Sequence, residues 1–393
     1  GGGGGYGGIG GSDDGNQWGG QGGPIYGSPL DPVDLGSGGG GGNNMCCGRH
    51  GGHGGGAFKI RVSRSLSVDG TITSDGSGSG DIKGGSGSGG TINLSAGSIT
   101  GSGSLSVDGG PNDWEGAGGG GGRISVTTAD YSGASLTYSL DGQPGEDGNG
   151  GDGTLFRTSA LEQYKTGSGT ALTVGETTDD ATPIFKFTID EAVNDDYTLD
   201  VEIKEIGTPF SDTPSLSDGS AVTYSGSSVT AQTTSALLAD GNYHWQARIC
   251  NSSSECTEWV SYGDNLESST DFTILTNSAP NAPTSLGPSG LVDGSYTGDN
   301  TPTLNFNISD SDDADQVKYQ IEIDDSSDFS SAVVDYTSAF AAEGERSFTV
   351  GQAAGSGSYA TGSEGQTLSG GEYYWRVTPT DDDSAAGTTT TAN

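Results

Sequence analysis

A chain of 393 residues with 75 glycines and only 30% apolar residues has too little hydrocarbon for one large conventional core. Its formal net charge of −38, from 52 acidic against 14 basic residues, repels phosphate backbones and disfavours nucleic-acid binding. No long apolar run occurs, so no membrane-spanning helix is expected. The chain opens on GGGGGYGG, in the middle of a glycine pattern, and reads as a processed product or a piece of a longer chain.

The first third repeats itself. Residues 54–62 (GGGAFKIRV) return as 88–94 (SGGTINL), 119–126 (GGGGRISV) and, more loosely, 150–156 (GGDGTLF). Aligning Gly56, Gly90, Gly122 and Gly153 gives steps of 34, 32 and 31 residues. A second phrase travels with the first: LSVDG at 66–70 and at 105–109, and YSLDG at 138–142. A fixed period of this size marks a repeat array, each unit burying its apolar face on the next. Within the units, Phe58, Ile60 and Val62 alternate with Lys59 and Arg61, and 91–94 and 123–126 do the same. Period two predicts half-buried strands, one face in and one out. The dipeptides Asp69-Gly70, Asp108-Gly109 and Asp141-Gly142 supply turns. The expectation is a β-solenoid or layered β-stack whose glycine runs pack backbone on backbone. For residues 1–56 a bundle of polyproline II-like glycine strands is the alternative.

This third, through 25–42 (IYGSPLDPVDLGSGGGGG), LSVDGTI, GSGSLSVDGG and GGGGGRISV, resembles the glycine-rich repeats of very large secreted bacterial surface proteins. The resemblance implies a cell-surface or matrix location and no catalysis. Cys46, Cys47, His50 and His53 fall within eight residues and offer ligands for zinc or copper, but their spacing matches no usual zinc pattern. An oxidised cysteine pair is the competing reading of Cys46 and Cys47.

After about Thr158 glycine falls and short strand patterns follow one another: 184–189, 197–203, 229–238, 243–249 and 269–275. A linker rich in Pro and Asn (276–285) leads to a second set at 303–308, 317–323, 332–338, 346–350 and 372–378. The sets correspond: ATPIFKFTI to NTPTLNFNI, YTLDVEI to VKYQIEI, and LLADGNYHWQARI to LSGGEYYWRVT. Each predicts an antiparallel β-sandwich. The phrases DGNYHWQARI and GGEYYWRV look like the fibronectin type III or immunoglobulin-like domains of bacterial surface proteins, which makes Trp245 and Trp375 core residues. Cys250 and Cys256 flank a five-residue loop and are expected to close it as a disulfide, against the alternative of two free thiols. The carboxyl end, TTTTAN, lacks large apolar residues, so the last strand is expected to be short and its edge open to a neighbouring chain.

Two acidic groups, Asp310, Asp312, Asp313 and Asp315 and then Asp381, Asp382 and Asp383, are assigned by sandwich topology to one pole. Calcium takes several hard oxygen ligands from such loops, and a solvated acidic surface is the competing reading. Asn93, Asn251 and Asn307 stand in N-x-S/T sequences. Trp18, Tyr26, Trp114, Trp259 and Tyr262 are candidates for stacking on sugars or, alternatively, for packing. With three histidines and no nucleophile, phosphate-loop or metalloprotease motif, the chain is not expected to be an enzyme.

The sequence therefore predicts an all-β protein: a glycine-rich β-solenoid or layered stack over 1–157, then antiparallel sandwiches over 158–276 and 277–393. It reads as a structural subunit or segment of an extracellular bacterial filament, sheath or stalk. Such a subunit self-associates into a homopolymer through glycine packing and β-edges. The alternative is a monomeric cell-surface adhesin that binds a glycan or another surface ligand. A third reading is an accessory region of a secreted polysaccharide-degrading enzyme.

Overall fold

A computed structural model describes residues 1–13, 19–42, 49–80, 83–112, 115–217, 220–292, 294, 296–311 and 316–392. They form two compact units, Gly1–Leu275 and Thr276–Asn393. The protein is all-β.

The first unit begins as a parallel solenoid. Its strands are β1 (Ala57–Ser67), β2 (Thr71–Thr73), β3 (Thr91–Thr100), β4 (Ser104–Ser106), β5 (Arg123–Asp130), β6 (Thr137–Ser139) and β7 (Thr154–Tyr164). β1, β3, β5 and β7 pair in parallel with Ala57, Thr91, Arg123 and Thr154 in register, steps of 34, 32 and 31 residues. These are the steps read from the glycine runs. β2, β4 and β6 form a second parallel sheet. Ile92, Leu94, Ile99, Leu105, Val107, Ile124 and Val126 fill the space between the sheets and are 0% exposed.

Two expectations fail here. The first LSVDG is not the counterpart of the second. Leu66 pairs with Ile99 in the first sheet, whereas Leu105 pairs with Ile72, so TITSDG is the true equivalent. The first copy starts at the end of β1, before the corner, and the second starts in β4, after it. Nor are β3 and β5 half-buried, since nearly every residue in both is buried. Their polar faces are roofed by residues 26–34. Thr91 Oγ1 donates to the Asp34 carbonyl (2.7 Å), Asn93 Nδ2 to Asp31 Oδ1 (2.7 Å) and Ser125 Oγ to the Leu30 carbonyl (2.7 Å). Arg123 donates twice to the Tyr26 carbonyl. Alternation marked the polar side correctly, and satisfied hydrogen bonds allow that side to be buried.

The glycine runs take no strand assignment. Successive amides of residues 118–122 donate to the carbonyls of Gly148, Gly110, Gly4, Gly151 and Val107. The first and fourth reach one neighbouring run, the second and fifth another, and the third a third. Residues 85–90 repeat the rule, donating to Gly40, Ala117, Ser77, Ser37, Gly120 and Ser74. Three residues per turn is the period of a polyproline II helix. Each glycine run is thus a threefold helix bonded to separate neighbours, and the bundle extends beyond residues 1–56 into every rung. Added Cβ atoms at Gly7, Gly89 and Gly119 would collide with the carbonyl oxygens of Gly122, Val107 and Gly87. At those positions backbone packs against backbone with no room for a side chain. Ser86 and Ser88 are side chains that the bundle does bury, at 0% exposure. Tyr6 is another: 0% exposed, it hydrogen-bonds Thr91 Oγ1 at 2.7 Å, and burial raises its pKa.

The first sandwich adds β8 (Glu176–Thr178), β9 (Ile184–Glu191), β10 (Asp195–Glu205), β11 (Leu216–Ser217), β12 (Val222–Tyr224), β13 (Val229–Thr234), β14 (Gly241–Asn251), β15 (Val260–Ser261) and β16 (Phe272–Ile274). One sheet is β11-β10-β14-β16-β8. The other is the solenoid's own, because the six-stranded order β1-β3-β5-β7-β9-β13 runs through both bodies. The expected boundary at 157/158 cuts β7 in half, so 1–157 and 158–276 are not separate domains. β7 is the last rung and also the sandwich's first strand, pairing parallel with β5 and antiparallel with β9. The core spans the junction, with Leu30 and Phe156 packed among Phe185, Phe187, Tyr197 and Trp245.

The second unit holds β17 (Thr284–Gly287), β18 (Thr303–Ile308), β19 (Val317–Asp324), β20 (Val334–Thr337), β21 (Gly344–Thr349), β22 (Ser358–Thr361), β23 (Tyr374–Asp381) and β24 (Thr390–Ala392). Its sheets are β17-β18-β21 and β22-β20-β19-β23-β24. The last strand is short, as the sequence suggested, and it pairs with β23 within the chain. Trp245 and Trp375 are both core residues, at 0% and 3% exposure.

Candidate functional site

The solenoid has two unlike ends. At one, β7 is covered by β9 and the sandwich. At the other, among the described residues, β1 pairs only with β3 and β2 only with β4. The 11-residue β1 is largely exposed, with Phe58 at 37%. Thr91 N donates to the Gly56 carbonyl. Alternate residues of a strand turn their backbone groups to opposite edges, so Ala57, Lys59 and Arg61 present theirs outward.

Basic side chains on an edge strand usually repel a second strand. Here all three cations of β1 are paired. Lys59 Nζ lies 2.6 Å from both Asp31 and Glu258, Arg61 3.1 Å from Glu258 and Arg64 3.9 Å from Asp264. Burial pulls the Lys59 pKa down, but the hydrogen bonds from Asp31 and Glu258 outweigh it and hold the ammonium above its ordinary value. At the sheet's other edge, among the described residues, β13 pairs only with β9.

The residues proposed from sequence are distributed differently. Asp312, Asp313, Asp315, Cys46, Cys47, Trp18 and Trp114 lie outside the described residues. In the second unit, the loops after β18 and β23 and the segment 277–281 do meet at one pole. Asn281 N donates to the Ser309 carbonyl, Gln316 N to Asp382 Oδ1 and Asn277 Nδ2 to Asp381 Oδ2. Asp381 is 0% exposed and also accepts from Ala385 N at 2.7 Å, so it locks a turn, while Asp383 is exposed. Asp310 belongs to the same loop, just before the undescribed carboxylates.

Cys250 and Cys256 are joined, with S–S 2.00 Å. With Asp200 they make up a group of potential metal ligands, but disulfide sulfurs bind no cation, so one carboxylate remains. Closing so short a loop is worth about 2 kcal/mol in the chain-entropy account. Reduction is expected to lower stability by about that amount, read as a shift of the urea midpoint with and without reductant.

The aromatic candidates are used in packing. Tyr26 lies against Tyr6 at 4.9 Å, and Tyr262 stacks on Trp245 at 4.9 Å. Trp259 is 6% exposed with the Arg248 guanidinium over its ring at 4.6 Å. Of the N-x-S/T sites, Asn93 and Asn251 are buried with their side-chain amides bonded to Asp31 and Glu255.

Both sandwiches set three strands, β7-β9-β13 or β17-β18-β21, against a sheet in which the Trp strand, β14 or β23, has a neighbour on each side. No protein-family model and no curated protein matches the chain. Among solved structures, the fibronectin(III)-like modules of Clostridium thermocellum CbhA are 17% identical, covering 56% of this chain and 87% of theirs with a TM-score of 0.22. An alpha-L-rhamnosidase of Streptomyces avermitilis, solved with L-rhamnose, is 14% identical, covering 61% of this chain and 24% of its own with a TM-score of 0.20.

The two sandwiches are thus all-β and mainly antiparallel in their own sheets. A β-sandwich serves many functions and by itself assigns none. No helix among the described residues is long and apolar enough to cross a membrane.

Proposed function

We propose that the chain is a non-catalytic structural block of an extracellular filament, sheath or stalk, and that it grows head to tail by edge pairing. One observation carries this reading: a single sheet crosses the first unit and, among the described residues, is left unpaired at both edges, β1 and β13. A contact between unlike edges repeats without closing, and so generates a filament. Neutralised cations on β1 remove the usual guard against such pairing, and the Cys250–Cys256 disulfide supports an oxidising compartment.

Ala57→Pro removes an outward N–H without touching the β1–β3 ladder. Wild-type chain is expected to form long particles by electron microscopy and a rising mass by light scattering as concentration increases, and Ala57→Pro to remain monomeric. A wild type that stays monomeric, or stops at a closed dimer, would sink the proposal and leave the monomeric adhesin.

A further inference from the structure

We infer that a cleft between the solenoid sheet and the first sandwich binds one neutral sugar ring. It lies where the roof formed by residues 26–34 stops. Asn93 is covered by Asp31 and Pro32, but Ser95, next on the same face of β3, borders a cavity of about 210 Å³. Arg61 and Ser63 of β1, Phe210, Gln246 and Trp259 line it too.

Three of these side chains are more than nine-tenths buried yet keep a hydrogen-bonding atom unused. Trp259, 6% exposed, has an indole N–H without a partner. Gln246, 3% exposed, donates its amide to Glu202 and Asp212, and its carbonyl oxygen accepts nothing among the described residues. Ser95, 2% exposed, has a hydroxyl that makes no hydrogen bond among the described residues. A buried polar atom left unsatisfied costs about 1–3 kcal/mol. Ser95 and Gln246 thus bring a hydroxyl and an open carbonyl to one cavity that Trp259 also lines.

The chemistry of the lining selects the ligand. A sugar ring carries alternating hydroxyls and an apolar C–H face. The hydroxyls match the Ser95 hydroxyl and the Gln246 carbonyl, and the half-buried Phe210 ring, held by stacking on His244 at 4.3 Å, offers an apolar wall. The space would otherwise hold about seven waters. Asp212 and Glu267 stand on the lining, and Arg61 is already paired with Glu258. Uronate and sulfated rings are therefore repelled.

The test uses the whole chain and a panel of neutral hexoses, 6-deoxyhexoses, hexuronates and sulfated hexoses, read by saturation-transfer NMR and calorimetry. Neutral rings are expected to bind. Ser63→Phe, which fills the cleft from its exposed rim, is expected to abolish binding while circular dichroism and melting stay unchanged. Ser95→Ala is expected to weaken binding about tenfold, and it decides the question if Ser63→Phe fails to fold. Ala57→Pro is expected to bind sugar normally, which separates this site from assembly. No binding by any neutral ring, binding of acidic rings instead, or binding indifferent to both cleft variants would overturn the proposal.

Discussion

Gly119→Ala is expected to unfold the amino-terminal body of the first unit. The added methyl would collide with the Gly87 carbonyl and lie within 2.9 Å of Gly110 N. Both neighbours are backbone and are held by hydrogen bonds of the same bundle: Gly119 N donates to Gly110 O, and Gly110 N to Gly87 O. No rotamer can relieve such a clash. Overpacking a side-chain core costs about 1–3 kcal/mol, and a bundle that yields only by separating its runs should lose more than about 4 kcal/mol. Gly56→Ala is the control, since its Cβ would meet nothing nearer than Ser74 Oγ at 3.8 Å. It should lie within about 1 kcal/mol of wild type, a stiffer unfolded chain working in its favour. Urea unfolding followed by circular dichroism measures both. A Gly119→Ala protein as stable as Gly56→Ala would refute the tight-bundle account.

Lowering the pH from 7 to 4 is expected to relieve a strain at Asp271. This carboxyl is 1% exposed, and burial pushes its pKa up to about 6, even though Asn265 and the Trp245 amide donate to it. A carboxyl raised in the folded state binds more protons there than in the unfolded chain. Its contribution therefore falls as pH rises from about 4 to about 6, by about 3 kcal/mol in all. Asp271→Asn removes the titration and should be more stable than wild type at pH 7 by a comparable amount, the two curves converging near pH 4. Glu202 acts oppositely in a lower window. Burial works upward on it, but the Ser211 hydroxyl and amide and the Gln246 amide outweigh that and lower its pKa, so its stabilisation is lost below about pH 4.5. A wild-type to Asp271→Asn difference that does not change between pH 4 and 7 would refute the assignment.

Local periodicity was legible and long-range covering was not. The four aligned glycines marked the rungs because a solenoid stacks equivalent residues, and at Gly90, Gly122 and Gly153 the packed backbone leaves glycine no substitute. The strand patterns around Trp245 and Trp375 were readable because one face of each sandwich strand is apolar. The phrase at 66–70 misled because identical letters lay on opposite sides of a corner. Thr91, Asn93 and Ser125 looked solvent-facing because nothing local announces that residues 26–34 will lie on top of them. The boundary at 157/158 was placed where composition changes, but hydrogen bonding does not stop there. Arg61, Ser95, Gln246 and Trp259 come from separate stretches of chain, and no spacing within any one of them signals the cleft.

β7 belongs at once to the coil of rungs and to the sandwich, and this has a mechanical consequence. A rod joined to a head by a linker bends at the linker under load. Here there is no such hinge, since tension on either body is borne in shear across the shared sheet, along the full length of one strand. The two should resist pulling as a single stiff element and rupture together, in one force peak rather than two.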